Sequence, residues 1–426
     1  MTIEAEQSEQ IARQRALEAL RNGVPNRDAV RQLGSGQPAV ERRFADQLLA
    51  ARSASATGAQ ARGMVIEGGF GSGKSHALQH LEHLALEENF VCSRVSVSKE
   101  TPLNDPAKLF QAAIEAAVLP GVRGHAIQES AQRLDTRGER YAAFYRRIAA
   151  ETVPIAQVFP ATVLIHERGL GDADQTADIM SFWSGGPIKV ASVRRWLKDV
   201  GAANAFSVAA TPAKALALQR FHFAANLFIA AGFDGWVLLL DEVELIGKYG
   251  IVGRGRSYGE LARWLGFAEA EQYPGLTAVA SITDDFVLAI LQGKDDRNLV
   301  PPRLAVKDTP EAHADARRAE TGMLVLDKER VALDPPTPER LRETYDRLHD
   351  LHSRAYDWPA PELPAASVPS MIPANARLRS YVRRWIHEWD LRRLYPEASI
   401  DTQEQDLQID YHEDADLERS ESDQDN

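Results

Sequence analysis

Apolar residues along the chain fall at spacings that predict helices and short strands in alternation. Over residues 9–21, Ile11, Leu17 and Leu20 stand among Arg, Glu and Ala at helical spacing, and Gly23 ends the run. A turn at 23–26 leads into a second short helix. Gly34-Ser35-Gly36 breaks it, and a third helix is predicted over 38–54. Met64–Glu67 is a short apolar strand, followed by a helix over 75–88 and a strand over 90–97 in which apolar and polar residues alternate. Residues 105–232 are rich in Ala, Leu, Arg and Gln at helical spacing. That is longer than a crossover between two strands requires, so a helical insertion is expected at about 120–205. Residues 236–240 and 276–282 are apolar runs of strand length, as expected for strands covered on both faces. Helices are predicted over 257–270 and 285–291. The stretch 293–322, with Pro301-Pro302, reads as charged and irregular, and 330–333 as a last strand.

After Pro335-Pro336, Thr337 suits a helix N-cap and Pro338 the first helical position. The helix that follows carries Leu341, Tyr345, Leu348 and Leu351 on one face. Beyond a Pro-rich stretch at 359–373, another helix carries Leu378, Val382, Trp385, Ile386 and Trp389, and stops before Pro396. Strands alternating with helices imply an α/β fold, a parallel sheet between two helical layers, with a small helical unit appended. The expected division is an N-terminal helical segment (1–60), an αβα core (61–335), a helical lid (336–396) and an acidic tail (397–426).

Composition narrows the class. With 44% hydrophobic and 26% charged residues, the 426-residue chain is ordinary globular protein. No run approaches the roughly 20 apolar residues of a membrane span. The first ten residues are polar and acidic, unlike a secretory signal. The single cysteine, Cys92, excludes a disulfide framework or a cysteine-based zinc site within one chain. A cytoplasmic protein is expected. The net charge of −12 is concentrated: residues 401–426 hold eleven Asp or Glu against Arg419, which leaves about −2 on the 400 residues before them. So acidic a tail, with few apolar residues, is expected to stay disordered. It serves either as a solubilising segment or as a docking peptide for a basic partner.

Residues 68–75, Gly68-Gly69-Phe70-Gly71-Ser72-Gly73-Lys74-Ser75, satisfy G-x-x-x-x-G-K-[ST] in full, between a predicted strand and a predicted helix. Glycines let backbone N–H groups wrap a phosphate, and the helix that follows adds its positive end. Lys74 is expected to bridge the β- and γ-phosphates of ATP and Ser75 to bind Mg²⁺. His76 closes the same segment. At the end of the 236–240 strand stand Asp241, expected to hold Mg²⁺, and Glu242, expected to activate the attacking water; Glu244 reads as a surface or supporting residue. The next buried strand ends in Thr283-Asp284-Asp285. Thr283 is a candidate for contact with the γ-phosphate or the lytic water, or it takes part in the start of the helix that follows.

Two arginines after that strand, Arg297 and Arg303, are candidates for an arginine finger, with Arg303 preferred. Arg377, with Arg379 as runner-up, stands where the lid could reach back to the γ-phosphate. Arg383, Arg384, Arg392 and Arg393 make the lid basic, either as a solvated face or as a contact for the phosphates of double-stranded DNA.

These residues together resemble an AAA+ ATPase, and more narrowly the ATP-binding proteins of BREX phage-defence systems, BrxD type. The resemblance lies in four segments: residues 19–26 (Ala-Leu-Arg-Asn-Gly-Val-Pro-Asn); residues 67–76 around the phosphate loop; Leu240-Asp241-Glu242-Val243-Glu244 with Tyr258-Gly259-Glu260-Leu261; and residues 333–358, including Thr337-Pro338-Glu339-Arg340-Leu341 and Arg354-Ala355-Tyr356-Asp357-Trp358. Thr283-Asp284 departs from the Thr-Pro pair usual in that family. The resemblance implies a RecA-like core under a helical lid with ATP between them. It also implies a homo-oligomer whose finger crosses between subunits, and action on phage DNA beside other proteins of the same defence system. A motor or switch that hydrolyses ATP is the leading expectation. A nucleotide-gated assembly module with little turnover, and a replication-initiator or loader ATPase, are the alternatives.

Overall fold

The computed structural model describes all residues except 1–2, 24–25, 123, 151–154, 170–171, 269–270, 364–377 and 398–426; the acidic tail lies outside the described residues. The chain opens with α1 (Ile3–Asn22), α2 (Arg27–Leu33) and α3 (Pro38–Thr57), then β1 (Met64–Glu67), α4 (Lys74–Glu87), β2 (Val91–Ser96), α5 (Pro106–Glu115) and β3 (Ala117–Val118). A helical stretch follows: α6 (Ala126–Gln132), α7 (Glu139–Ala149), α8 (Val158–Arg168), α9 (Ala173–Trp183), α10 (Val190–Asp199) and α11 (Ala213–Ala230). It is succeeded by β4 (Trp236–Asp241), α12 (Ile251–Trp264), β5 (Leu276–Ile282), α13 (Asp296–Leu304), α14 (Pro310–Lys328), β6 (Arg330–Ala332), α15 (Pro338–Tyr356) and α16 (Leu378–Leu394).

The strands form one mixed sheet in the order β3-β2-β4-β5-β1-β6, parallel except for the β2–β3 pair. Alternation along each strand sends its side chains to two different cores. Trp236, Leu238 and Leu240 join Ala278, Ala280, Phe221 of α11 and Leu261 of α12 on one face. Val237, Leu239, Ile66, Cys92 and Val279 join Phe44 of α3 and Leu78 of α4 on the other. A third cluster combines Leu17 and Leu20 of α1 and Ala29 of α2 with Leu341, Tyr345, Trp385 and Trp389 of α15 and α16. The first 60 residues therefore do not pack as one unit. α1 and α2 complete the helical lid, while α3 covers the sheet.

One expectation fails. Residues 293–322 are not irregular, and Arg297 and Arg303 lie on a helix, α13, rather than on a loop. The first part of α14 buries only small residues, Ala316, Ala319 and Gly322, which hydropathy does not flag; Met323, Val325 and Leu326 are buried beyond them. A Cβ added to Gly322 would lie 1.9 Å from the Tyr258 carbonyl oxygen, so α12 and α14 approach backbone to backbone. In α13, Pro301 and Pro302 sit inside the helix, against local propensity. Among the described residues, no helix is long and apolar enough to cross a membrane.

Candidate nucleotide site

Strand parity builds the floor of the site. Asp241 shares the face of Val237 and Leu239, and Arg94 and Ser96 share that of Cys92, so all three point to the α4 side of the sheet. Ser96 lies opposite Asp241 in the β2–β4 register. The loop between β1 and α4 passes over them. Gly71 (φ 78°) and Gly73 (φ 102°) take left-handed backbone, and a Cβ on Gly68 would fall 2.5 Å from Ser72 Oγ, so side chains are excluded where the loop turns. No side chain caps α4, which leaves its first amide N–H groups facing the loop.

A cleft of about 680 Å³ joins this loop to the lid. Phe70, Gly71, Ser72, Gly73, Lys74, Ser75 and His76 line it together with Asp241 and Glu242. Gly68 and Gly69 are not among the cleft-lining residues; their carbonyls accept from Lys74. The Lys74 ammonium donates to Gly68 O at 2.8 Å and to Gly69 O at 3.3 Å. Asp241 Oδ1 accepts from Ser281 Oγ at 2.6 Å and from the Glu242 N–H at 3.0 Å. Those two bonds hold a sharp turn in which Glu242 has φ 58°, a left-handed conformation costing a glutamate about 1–3 kcal/mol. The turn ends β4 and leaves the Glu242 carboxyl in the cleft. Burial, with Asp241 adding to it and Lys74 opposing, raises the pKa of Glu242 above the usual carboxylate range. The donor set fits a magnesium nucleotide. Ser75 and Asp241 both line the cleft, and two protein oxygens suffice for an ion whose other ligands are phosphates and water.

The opposite wall is the lid. Gly34, Ser35, Gly36 and Gln37, a strap between α2 and α3, line it with Arg340, Arg347 and Arg379. Arg340 donates to Ser35 O at 2.6 Å, Arg347 to Leu33 O at 2.7 Å, and Arg379 to Gly23 O. From the core side His76 Nε2 donates to Gly34 O at 2.7 Å, and burial lowers its pKa to about 4, so the ring is neutral. The sequence signalled neither the strap nor its clamps, because each clamp joins residues far apart in the chain.

The remaining expected residues are dispersed. Thr283 is buried at the end of β5 and is not among the cleft-lining residues; its neighbour Asp284 reaches the loop, 3.2 Å from where a Cβ on Gly69 would stand. Arg303 is exposed on α13, outside the cleft of its own chain, and Arg297 pairs with Asp327 at 2.8 Å. Arg377 lies outside the described residues. On α16, Arg383 and Arg384 are exposed, whereas Arg392 pairs with Glu388 and Arg393 stacks 4.0 Å above the Tyr356 ring. Arg94 and Glu244 are two further residues of the cleft. Arg94 lines the cleft from β2, and no hydrogen bond or ion pair to its guanidinium is found among the described residues. Glu244, expected at the surface or in support, takes the second of these places: it is a buried cleft residue 3.9 Å from Lys74.

A phosphate-binding loop on an α/β sheet, facing the acids at the end of a neighbouring strand, defines the class: a P-loop nucleotide-binding protein. The model of the family described as BREX system ATP-binding protein BrxC/D matches residues 9–120 and 197–380. The chain belongs to that family. The unmatched interval, 121–196, holds α6 to α9 and most of α10. No curated protein and no solved structure matches the chain.

Proposed function

We propose that the protein hydrolyses magnesium-bound ATP in this cleft, as an AAA+ ATPase with a RecA-like core (61–335) beneath a helical lid (336–396), and acts as a motor or switch in a BREX-type defence system. One observation carries the reading. Lys74 and Ser75 at the start of α4 share a cleft with Asp241 and Glu242 at the end of β4, and β5 separates β4 from β1. The strand order β2-β4-β5-β1-β6 supports the AAA+ assignment.

In this reading Ser75 and Asp241 hold the magnesium ion, which when bound screens the charge of the phosphates. Lys74 exchanges the Gly68 and Gly69 carbonyls for the β- and γ-phosphates. Glu242 takes the proton of the attacking water, a task suited to a carboxyl whose pKa is raised. Thr283 steadies the loop from below, beside Asp284. Arg377 stays a γ-phosphate contact on the strength of its sequence position. Arg303 completes the site of a second copy. Exposed apolar side chains beside it, Leu299 and Val306, support a protein contact on that face. The partners are other proteins of the same defence system, and Arg383 and Arg384 offer phosphate contacts to double-stranded DNA. The assembly-module alternative gives no role to Glu242, whose placement in the cleft favours turnover.

The test is ATP turnover against protein concentration, with and without duplex DNA. Specific activity is expected to rise with concentration. Arg303→Ala and Lys74→Ala are each expected to be inactive alone, and mixing them should restore part of the activity, because some interfaces then pair an intact loop with an intact finger. Mixed oligomers that stay inactive remove Arg303 from the site.

A further inference from the structure

Lys74 is not held by the loop alone. Its ammonium has three donors, two of which go to Gly68 O and Gly69 O. The third side faces Glu244 Oε1 at 3.9 Å. Glu244 stands on the 3₁₀ turn Val243–Lys248 that follows β4, with only 8% of its side chain exposed. Its second oxygen, Oε2, is buried and has no hydrogen-bond partner. A buried acceptor left in that state costs about 1–3 kcal/mol. Burial raises the Glu244 pKa to about 7 and Lys74 opposes the rise, so the charge that this carboxyl carries at neutral pH depends on that ammonium.

The charge does have a direction. Asp241 and Glu242 share the cleft with Glu244, so three carboxylates stand near one ammonium. A triphosphate brings several more negative charges to the same ammonium, in a partly desolvated site where charges interact more strongly than in water. When Lys74 exchanges its two carbonyls for the phosphates, its third side still faces Glu244, so the carboxyl and the phosphates draw on one ammonium and stand close to each other.

Resting on the nucleotide reading, we propose that Glu244 is a positioning residue that competes with the phosphates for Lys74 and so holds triphosphate affinity down. The Asp-x-x-Glu spacing from Asp241 serves this end. Asp241 ends the strand, Glu242 turns out into the cleft, and one turn of 3₁₀ helix brings Glu244 back under Lys74. The residue sets how readily nucleotide is exchanged, a property separate from the proton transfer assigned to Glu242.

The experiment is calorimetric titration of the full chain, wild type, Glu244→Gln and Glu244→Asp, with magnesium ATP and separately with inorganic tripolyphosphate. Glu244→Gln is expected to tighten both ligands by about tenfold, equivalent to roughly 1.4 kcal/mol. KM should fall with Kd, a gain that a damaged fold does not produce. Glu244→Asp keeps the charge but shortens its reach, and is expected to give a smaller gain in the same direction. Unchanged or weaker binding by Glu244→Gln, with ATP bound normally by the wild type, overturns the proposal and leaves the nucleotide reading intact. If the glutamine variant does not fold, unchanged or weaker binding by Glu244→Asp decides against it in the same way. Failure of the wild type to bind either ligand would instead remove the nucleotide reading itself.

Discussion

The core wall and the lid wall of the cleft are held by different means. The core wall is made by neighbours in sequence and register. Gly68 to Ser75 form one continuous loop, and Asp241 is fixed by strand parity and by Ser281 on the adjoining strand at 2.6 Å. The lid wall is made by arginines that reach across the chain to backbone carbonyls. Arg340 and Ser35 are 305 residues apart, Arg347 and Leu33 are 314 apart, and Arg379 and Gly23 are 356 apart. The core wall accepts strain, in the left-handed Glu242, and a poorly satisfied carboxylate, Glu244; the lid wall ties each of its three arginines to a carbonyl, with Arg379 Nε alone among them left buried and unpartnered. In the proposed function the core wall is thus arranged for chemistry at some expense to stability, and the lid arginines tie the helices and turns of their own wall together.

That contrast predicts that activity and stability separate by wall. The largest effect is expected from Glu242→Gln, which keeps ATP binding but loses about 10²–10⁴ in turnover, since an amide takes no proton from water. Its thermal stability should match or exceed that of the wild type. The acid limb of the wild-type rate profile should lie above the ordinary carboxylate range, because the folded site raises the Glu242 pKa and activity is lost as pH falls through that value. A stopped-flow pH profile checks both points.

Lys74→Ala comes next, with ATP affinity expected to fall by at least about 100-fold, roughly 2.7 kcal/mol. Near-native affinity in a filter-binding or calorimetric assay would remove the cleft as the nucleotide site. Its melting temperature should change little, as the lysine contributes to binding rather than to a core. The smallest effect on activity and the clearest on stability should come from the lid. Arg340→Ala removes a charged hydrogen bond to the strap, expected to cost about 1.5–3 kcal/mol in stability. Amide exchange at 33–37 should speed up while single-turnover hydrolysis at saturating ATP stays close to wild type. Loss of chemistry without loss of stability in this variant would erase the distinction between the walls.

Much of the fold was legible because it rests on local rules. β1 and β5 fall on the apolar runs that predicted them, and β4 extends its run by one residue to include Asp241. Thr337 caps α15 through the Arg340 N–H, as its place before Pro338 predicts. The stretch 293–322 was not legible, because its signals contradict its structure. Prolines sit inside α13, and within this stretch the buried positions of α14 are Ala316, Ala319 and Gly322, whose value lies in permitting close approach rather than in hydrophobicity. β3, two residues long, is defined by its antiparallel pairing with β2 and by nothing in its own sequence.

By itself, then, the amino-acid order determined the loop that can cradle phosphate, the strand that carries Asp241 and Glu242, and the family segments at both ends of the chain. Each is a property of a few adjacent residues, in which backbone conformation, side-chain alternation and chemical type are set together. Only the tertiary structure decided that α1 and α2 pack with α15 and α16, that His76 and Arg340 clamp the strap, that Glu244 lies beside Lys74, and that Arg303 stands outside its own cleft. The reason is physical. A long charged side chain has many possible partners within reach of an unfolded chain, and which carbonyl or carboxylate it meets is fixed only when the packing of helices on the sheet has chosen the distances between them.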